Sequence, residues 1–175
     1  MNTDVVELPA GKLARITGGL YLGYVLASVL AGVLGSIGLG TVPQISKAIL
    51  TDPASFRLGL VLALISGCLF LVVAWGLYVI LRPVNRDLAL LFLALNAVGV
   101  AIQGAAFLAL VSALLQGDAA SSMGAFSAAQ LEGLAYLSIG VYKAGWVTAQ
   151  LFFGMWLFPL GYLVYRSGFL PRFLG

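Results

Sequence analysis

Five polar side chains in or beside the apolar stretches of this chain are the candidates for chemistry: Ser66, Asn96, Gln103, Lys143 and Gln150. The hydroxyl and the three carboxamides can donate and accept hydrogen bonds but do not titrate near neutral pH, so the chemistry open to them is binding or relay. Only Lys143 adds a charge. The usual ingredients of catalysis are scarce, for the 175 residues include no histidine and one cysteine, Cys68. This excludes disulfide frameworks, cysteine-rich zinc sites, histidine-ligated haem and histidine bases. The six carboxylates, Asp4, Glu7, Asp52, Asp87, Asp118 and Glu132, all fall outside the apolar stretches. Neither a Walker loop nor an HExxH or GxSxG pattern occurs, so no enzyme and no cofactor is expected.

What those five residues can do depends on the elements that carry them. Four uncharged stretches cover residues 16–46, 58–81, 88–117 and 144–165, which are 31, 24, 30 and 22 residues long counted inclusively. Each can hold the ~20 apolar residues that cross a bilayer as a helix. Hydrophobic residues make up 62% of the chain and charged ones 9%, far below the ~25% charged of a soluble domain. Helix is expected over strand because lipid offers no partner to backbone N–H and C=O, and the alternating ten-residue segments of a barrel are missing. The expected fold is all-α: a polytopic transmembrane helix bundle in a single membrane domain, 1–175, with spans at about 16–39, 58–81, 88–115 and 144–165. The first span is longer than the ~7–15 apolar residues of a cleavable signal and is read as retained.

Sidedness follows from lysine and arginine. Lys12, Arg15, Arg82, Arg86, Arg166 and Arg172 fall on one side of a four-span arrangement, and Lys47 and Arg57 on the other. The positive-inside rule puts both termini and the tight turn at 82–86 in the cytoplasm of a multi-pass cell-membrane protein, the bacterial cytoplasmic membrane being expected. Outer loops are expected at 40–56, with a short interfacial segment near 42–50, and at 117–127. Ser127 and Gln130 read as a capping box, giving the fourth helix an outer extension over 128–143. That helix is then too long for the bilayer alone, which implies either an outer third beyond the membrane or a bend near Gly140 and Gly145. Pro159 is expected to kink its inner part. The lipid bilayer is the expected partner, with a second membrane protein or another copy beside it. The basic residues never form a run, so nucleic acid is excluded.

Counted from the cytoplasmic ends of their spans, Ser66, Gln103 and Gln150 each lie 15 residues in, a common depth of roughly 22 Å. Asn96 and Gln103 are seven apart, as are Lys143 and Gln150, so each pair shares a helix face to within about 20°. The five could line a ligand or ion pathway, or bond across helices as packing glue, and the packing role is the expected one. Lys143 falls at the outer boundary and is expected to snorkel to water. Gly19 and Gly23 form a GxxxG pattern expected to pack within the bundle. Tyr21, Tyr24, Trp75, Tyr78, Tyr162 and Tyr165 on one side, with Tyr136, Tyr142 and Trp146 on the other, read as interfacial belts.

Four runs carry a family resemblance: ARITGGLYL at 14–22, FRLG at 56–59, LRPVNRDLA at 81–89 and LGYLVYRSGFLPRFLG at 160–175. Together they resemble the bacterial integral-membrane family called domain of unknown function 4386. The resemblance implies a helical membrane protein without an established activity and assigns no residue a role. Members usually continue beyond the FLPR segment with two more apolar helices, which implies that this chain lacks the last part of the family's bundle. They also often carry a basic residue near Asn96, where this chain has none. The expected function is a structural, accessory or sensory membrane component. The alternative is a transporter or binder of a small solute or lipid-like ligand through the mid-membrane polar layer. With Cys68 replaced, a cysteine introduced at Ser121 should react with an impermeant thiol reagent in intact cells and one at Asn85 should not; equal labelling overturns the sidedness.

Overall fold

The computed structural model describes residues 10–119 and 126–168. Throughout these residues the backbone is helix joined by short turns, the arrangement a chain must adopt where lipid leaves no other partner for its peptide groups. Three spans are single helices, α1 (Ala10–Gly35), α3 (Pro53–Leu81) and α4 (Arg86–Ala119). A short helix, α2 (Val42–Thr51), lies between the first two, and the fourth crossing is shared by α5 (Ala128–Met155) and α6 (Leu157–Ser167). Four helical segments are long and apolar enough to cross a membrane, as the expected fold requires. Their alternation puts Lys12, Arg15, the 82–86 turn and Arg166 at one end, here the turn side, and residues 36–52 at the other, the loop side.

The ends of the elements have local causes. The first span stops at Gly35, short of the expected 39, because Ser36 (φ +54°) and Gly38 (φ +96°) take left-handed backbone that a helix cannot continue through. Most of the stretch expected as an outer loop at 40–56 is itself helical. Gln44 Oε1 accepts from the Thr41 N–H at 2.8 Å to begin α2. Ile45 and Ile49, four apart, are both buried, so this helix turns one face into the protein. Asp52 ends α2 and caps α3, its Oδ1 accepting from the Ser55 N–H at 3.0 Å. At the tight turn the Val84 N–H donates to the Leu81 carbonyl at 2.9 Å, and Asn85 Oδ1 caps α4 through the Leu88 N–H at 3.0 Å.

At the loop side α4 continues to Ala119, and residues 120–125 of the second expected outer loop lie outside the described residues. The Ser127 capping box forms as read: Ser127 Oγ accepts from the Gln130 N–H at 3.3 Å and the Gln130 Oε1 from the Ser127 N–H at 2.8 Å. α5 then runs unbroken past Gly140 and Gly145. The interruption comes at Trp156, three residues before Pro159, whose missing N–H and ring stop the helical ladder there. Gly145 serves packing instead, since a Cβ at that position would stand 2.7 Å from that of Ala106. α5 therefore approaches α4 more closely than any larger residue would permit.

The helices pack as two pairs, α1 on α3 and α4 on α5, joined by the α3–α4 hairpin. Small residues mark the first pair, with Ala31, Gly59 and Ala63 all buried. On the loop side Ile45, Phe56, Phe107, Leu110, Ile139 and Tyr142 form the main core, and on the turn side Leu81, Ala89 and Leu163 form a smaller one. The Gly19–Gly23 pattern divides: Gly23 meets Leu69, whereas nothing approaches Gly19, which faces outward rather than into the bundle.

Hydrogen bonding from the Ser55 side chain, then from its N–H, holds the Asp52 carboxyl below its ordinary pKa. A carboxylate with a depressed folded pKa stabilises the fold above the unfolded value and loses that contribution as pH falls through the folded one. The gap in melting temperature between the native protein and Asp52→Ala, measured in detergent, should be widest near neutral pH and close as pH drops through the carboxylate range.

Candidate functional site

The sequence-derived depth of the polar layer fits the packing register. Gly67 of α3 lies opposite Val100 of α4, and α5 meets α4 at Gly99 against Phe153 and Ala106 against Gly145. These pairs bring Ser66, Gln103 and Gln150 to within about one helical turn in height. Their directions differ. Ser66 is buried and its hydroxyl donates to the Ala63 carbonyl, 2.8 Å away in its own helix. Gln103 is half-buried and Gln150 is exposed. The three share a level but not a face, and their polar groups do not line one surface.

Asn96 behaves differently from the other four. It is fully buried, and neither its amide nitrogen nor its oxygen has a hydrogen-bond partner. Leaving a buried polar group unpaired costs about 1–3 kcal/mol. Phe92, one turn below on α4, stacks on Trp156 with ring centroids 5.0 Å apart. Gly99, one turn above, abuts the Phe153 ring. Phe70 of α3 meets Phe153 and Trp156 edge-on at 5.5 and 5.4 Å and stacks on Tyr24 of α1 at 4.6 Å. A chain of aromatic rings thus joins all four spans beside an amide that can still donate and accept.

Lys143 belongs to a second constellation on the loop side. Its Nζ donates to the Gly38 carbonyl at 2.9 Å, while the hydroxyl of Tyr142, itself fully buried, accepts from the Gly38 N–H at 2.8 Å. The Trp146 ring covers the same residue so closely that a Cβ there would stand 3.3 Å from it. Glycine suits this position twice, by its φ of +96° and by the ring above it. Three residues of α5 therefore clasp both polar groups of Gly38. The snorkelling expected of Lys143 is replaced by this bond, because residues 36–41 fold back across α5. Tyr142, Trp146 and Tyr24 likewise leave the expected interfacial belts for internal positions: Tyr142 is buried, and the other two are half-buried.

A further polar contact had no counterpart in the sequence pattern. Gln116 Nε2 donates to Ser112 Oγ at 3.0 Å within α4 and reaches Ser138 Oγ of α5 at 3.4 Å. Ending the third span at about 115 hid it; the uncharged run on to Gly117 was the available signal.

The family model described as Domain of unknown function (DUF4386) matches residues 16–175, a range that takes in the aromatic chain, Asn96 and the Gly38 clasp. No curated protein and no solved structure matches.

Tyr142→Phe strands the buried Gly38 N–H and should lower folding stability by about 1–3 kcal/mol. Asn96→Leu, close in size, deletes an unpaired amide and should raise the melting temperature. Thermal unfolding in detergent, followed by circular dichroism, checks both.

Proposed function

The chain belongs to the family described as Domain of unknown function (DUF4386), and from that starting point we propose that it is a non-enzymatic accessory component of the membrane that acts by docking laterally against another membrane helix. The observation that carries this reading is a seam on α5. Gly133, Leu137, Gly140, Ala144, Val147, Leu151 and Gly154 follow one another at alternating spacings of four and three. All are exposed except Gly140, which is half-buried, and nothing approaches any of the three glycines. Alternation of four and three keeps residues on one stripe of a helix and is the spacing of left-handed helix pairing. In lipid, where burying apolar surface gives no drive, small residues on such a stripe let backbones approach closely enough for dispersion to hold them. The partner is a membrane protein or a second copy of this chain.

The basic residues support placing the turn side in the cytoplasm, and the resemblance to a bacterial integral-membrane family supports a bacterial cytoplasmic membrane. Among the described residues outside the apolar stretches, Lys12, Arg15, Arg82, Arg86 and Arg166 lie at the turn side and Lys47, Arg57 and Lys143 at the loop side. Transport through a mid-membrane layer is the weaker reading, since Ser66, Gln103 and Gln150 do not share a face. Asn96 favours one form of it, binding of a small ligand bearing both a donor and an acceptor at the aromatic chain.

With Cys68 replaced by alanine, Ala144→Cys in native membranes should give an oxidative or bifunctional cross-link to a neighbour. Leu108→Cys, on the exposed face of α4, should give none. Adding Gly140→Leu should abolish the Ala144 adduct while leaving the melting temperature close to that of the parent. Absence of any adduct along the seam overturns lateral docking through α5.

A further inference from the structure

On the outside of the α3–α4 hairpin, away from the α5 seam, Leu71, Val72 and Trp75 of one helix and Leu93 and Ala97 of the other line an open groove of about 390 Å³. The lining is apolar along its length. Both stripes end in arginine. Arg82 follows Trp75 by seven residues on α3, and Arg86 precedes Leu93 by seven on α4. Seven residues bring a helix back to the same face within about 20°. The register holds at the first of these, because Arg82 keeps helical backbone (φ −54°, ψ −30°) and its N–H donates to the Tyr78 carbonyl at 2.8 Å. Two exposed arginines therefore stand at the foot of the groove, roughly 10 Å below Trp75 and Leu93.

We propose that this hairpin is a binding site for an anionic phospholipid, its phosphate held by Arg82 and Arg86 and one acyl chain lying in the groove. The dimensions fit one leaflet: eleven residues separate Leu71 from Arg82, roughly 16 Å along the helix, about half the ~30 Å hydrocarbon core. The chemistry fits as well. Guanidinium groups offer planar, paired donors to phosphate oxygens, and Trp75, exposed above the arginines, has the amphipathic ring that settles near the headgroup level. Asp87, exposed in the first turn of α4, offsets one of the two positive charges and leaves the turn cationic. Any phospholipid can enter the apolar walls, so discrimination by headgroup charge falls to the arginines.

Native mass spectrometry of the full chain, released from detergent micelles holding equimolar phosphatidylglycerol and phosphatidylcholine, tests the site. Phosphatidylglycerol should be retained on the order of tenfold over phosphatidylcholine. Arg82→Gln with Arg86→Gln should bring the two to parity with the helical signal intact. Ala97→Trp, which fills the groove, should lower retention of both. Parity in the unsubstituted protein overturns the proposal. So does a preference that survives loss of both arginines, or one lost equally with Lys12→Gln and Arg15→Gln, the other basic pair on the turn side. If millimolar inorganic phosphate displaces phosphatidylglycerol while Ala97→Trp changes nothing, the arginines hold a free anion and the lipid site is likewise overturned.

Discussion

A peptide group inside hydrocarbon has no water to turn to, and each feature of this chain answers to that constraint. Helices satisfy their own interiors, so the difficulty concentrates where helices stop. At each place where the described chain turns, a side chain or a neighbouring backbone group supplies what is missing. Gln44 serves the start of the loop-side helix, Asp52 the start of α3, Asn85 the hairpin, and Tyr142 with Lys143 the turn that follows α1. Asn96 is the counterexample, an amide buried in the bundle without a partner. Something other than hydrogen bonding holds the helices together at that height.

That something is a continuous line of aromatic rings. Because α1 packs on α2 and α3 and not against α4 or α5, the protein is a chain of helix pairs more than a closed bundle. Tyr24, Phe70, Phe153, Trp156 and Phe92 carry contact from the first helix to the fourth crossing and back to α4 at one level. Offset stacked and edge-to-face pairs of this kind add about 0.5–1.5 kcal/mol beyond their area, without needing the directional satisfaction that polar groups demand. The open architecture leaves two outward surfaces of different character, a smooth glycine-rich seam on α5 and an arginine-footed groove on the hairpin.

How much of this could be read in advance differs between depth and direction. Depth adds up at a fixed rise per residue, so counting inward placed Ser66, Gln103 and Gln150 correctly relative to one another. Direction needs an amphipathic contrast, and in a span that faces lipid on one side and helix on the other both faces are apolar. Gln150 therefore could not be told from an inward residue, and Asn96 could not be told from Gln103. Span ends were legible where charge or proline marks them, as at Arg82 and Pro83. They were misplaced where left-handed backbone decides, as at Ser36 and Gly38. The clasp on Gly38 was invisible because its donor and acceptor come from a helix more than a hundred residues later.

That separation sets an order of events during synthesis. Gly38 leaves the ribosome 104 residues before Tyr142 and 105 before Lys143, an interval of roughly 5–20 s at ~5–20 residues per second. Through that interval its N–H and carbonyl need another partner, so residues 36–41 wait in water or in the insertion machinery while three spans are already in place. Closure of the loop side therefore has to wait for the fourth crossing, whose arrival is what permits it.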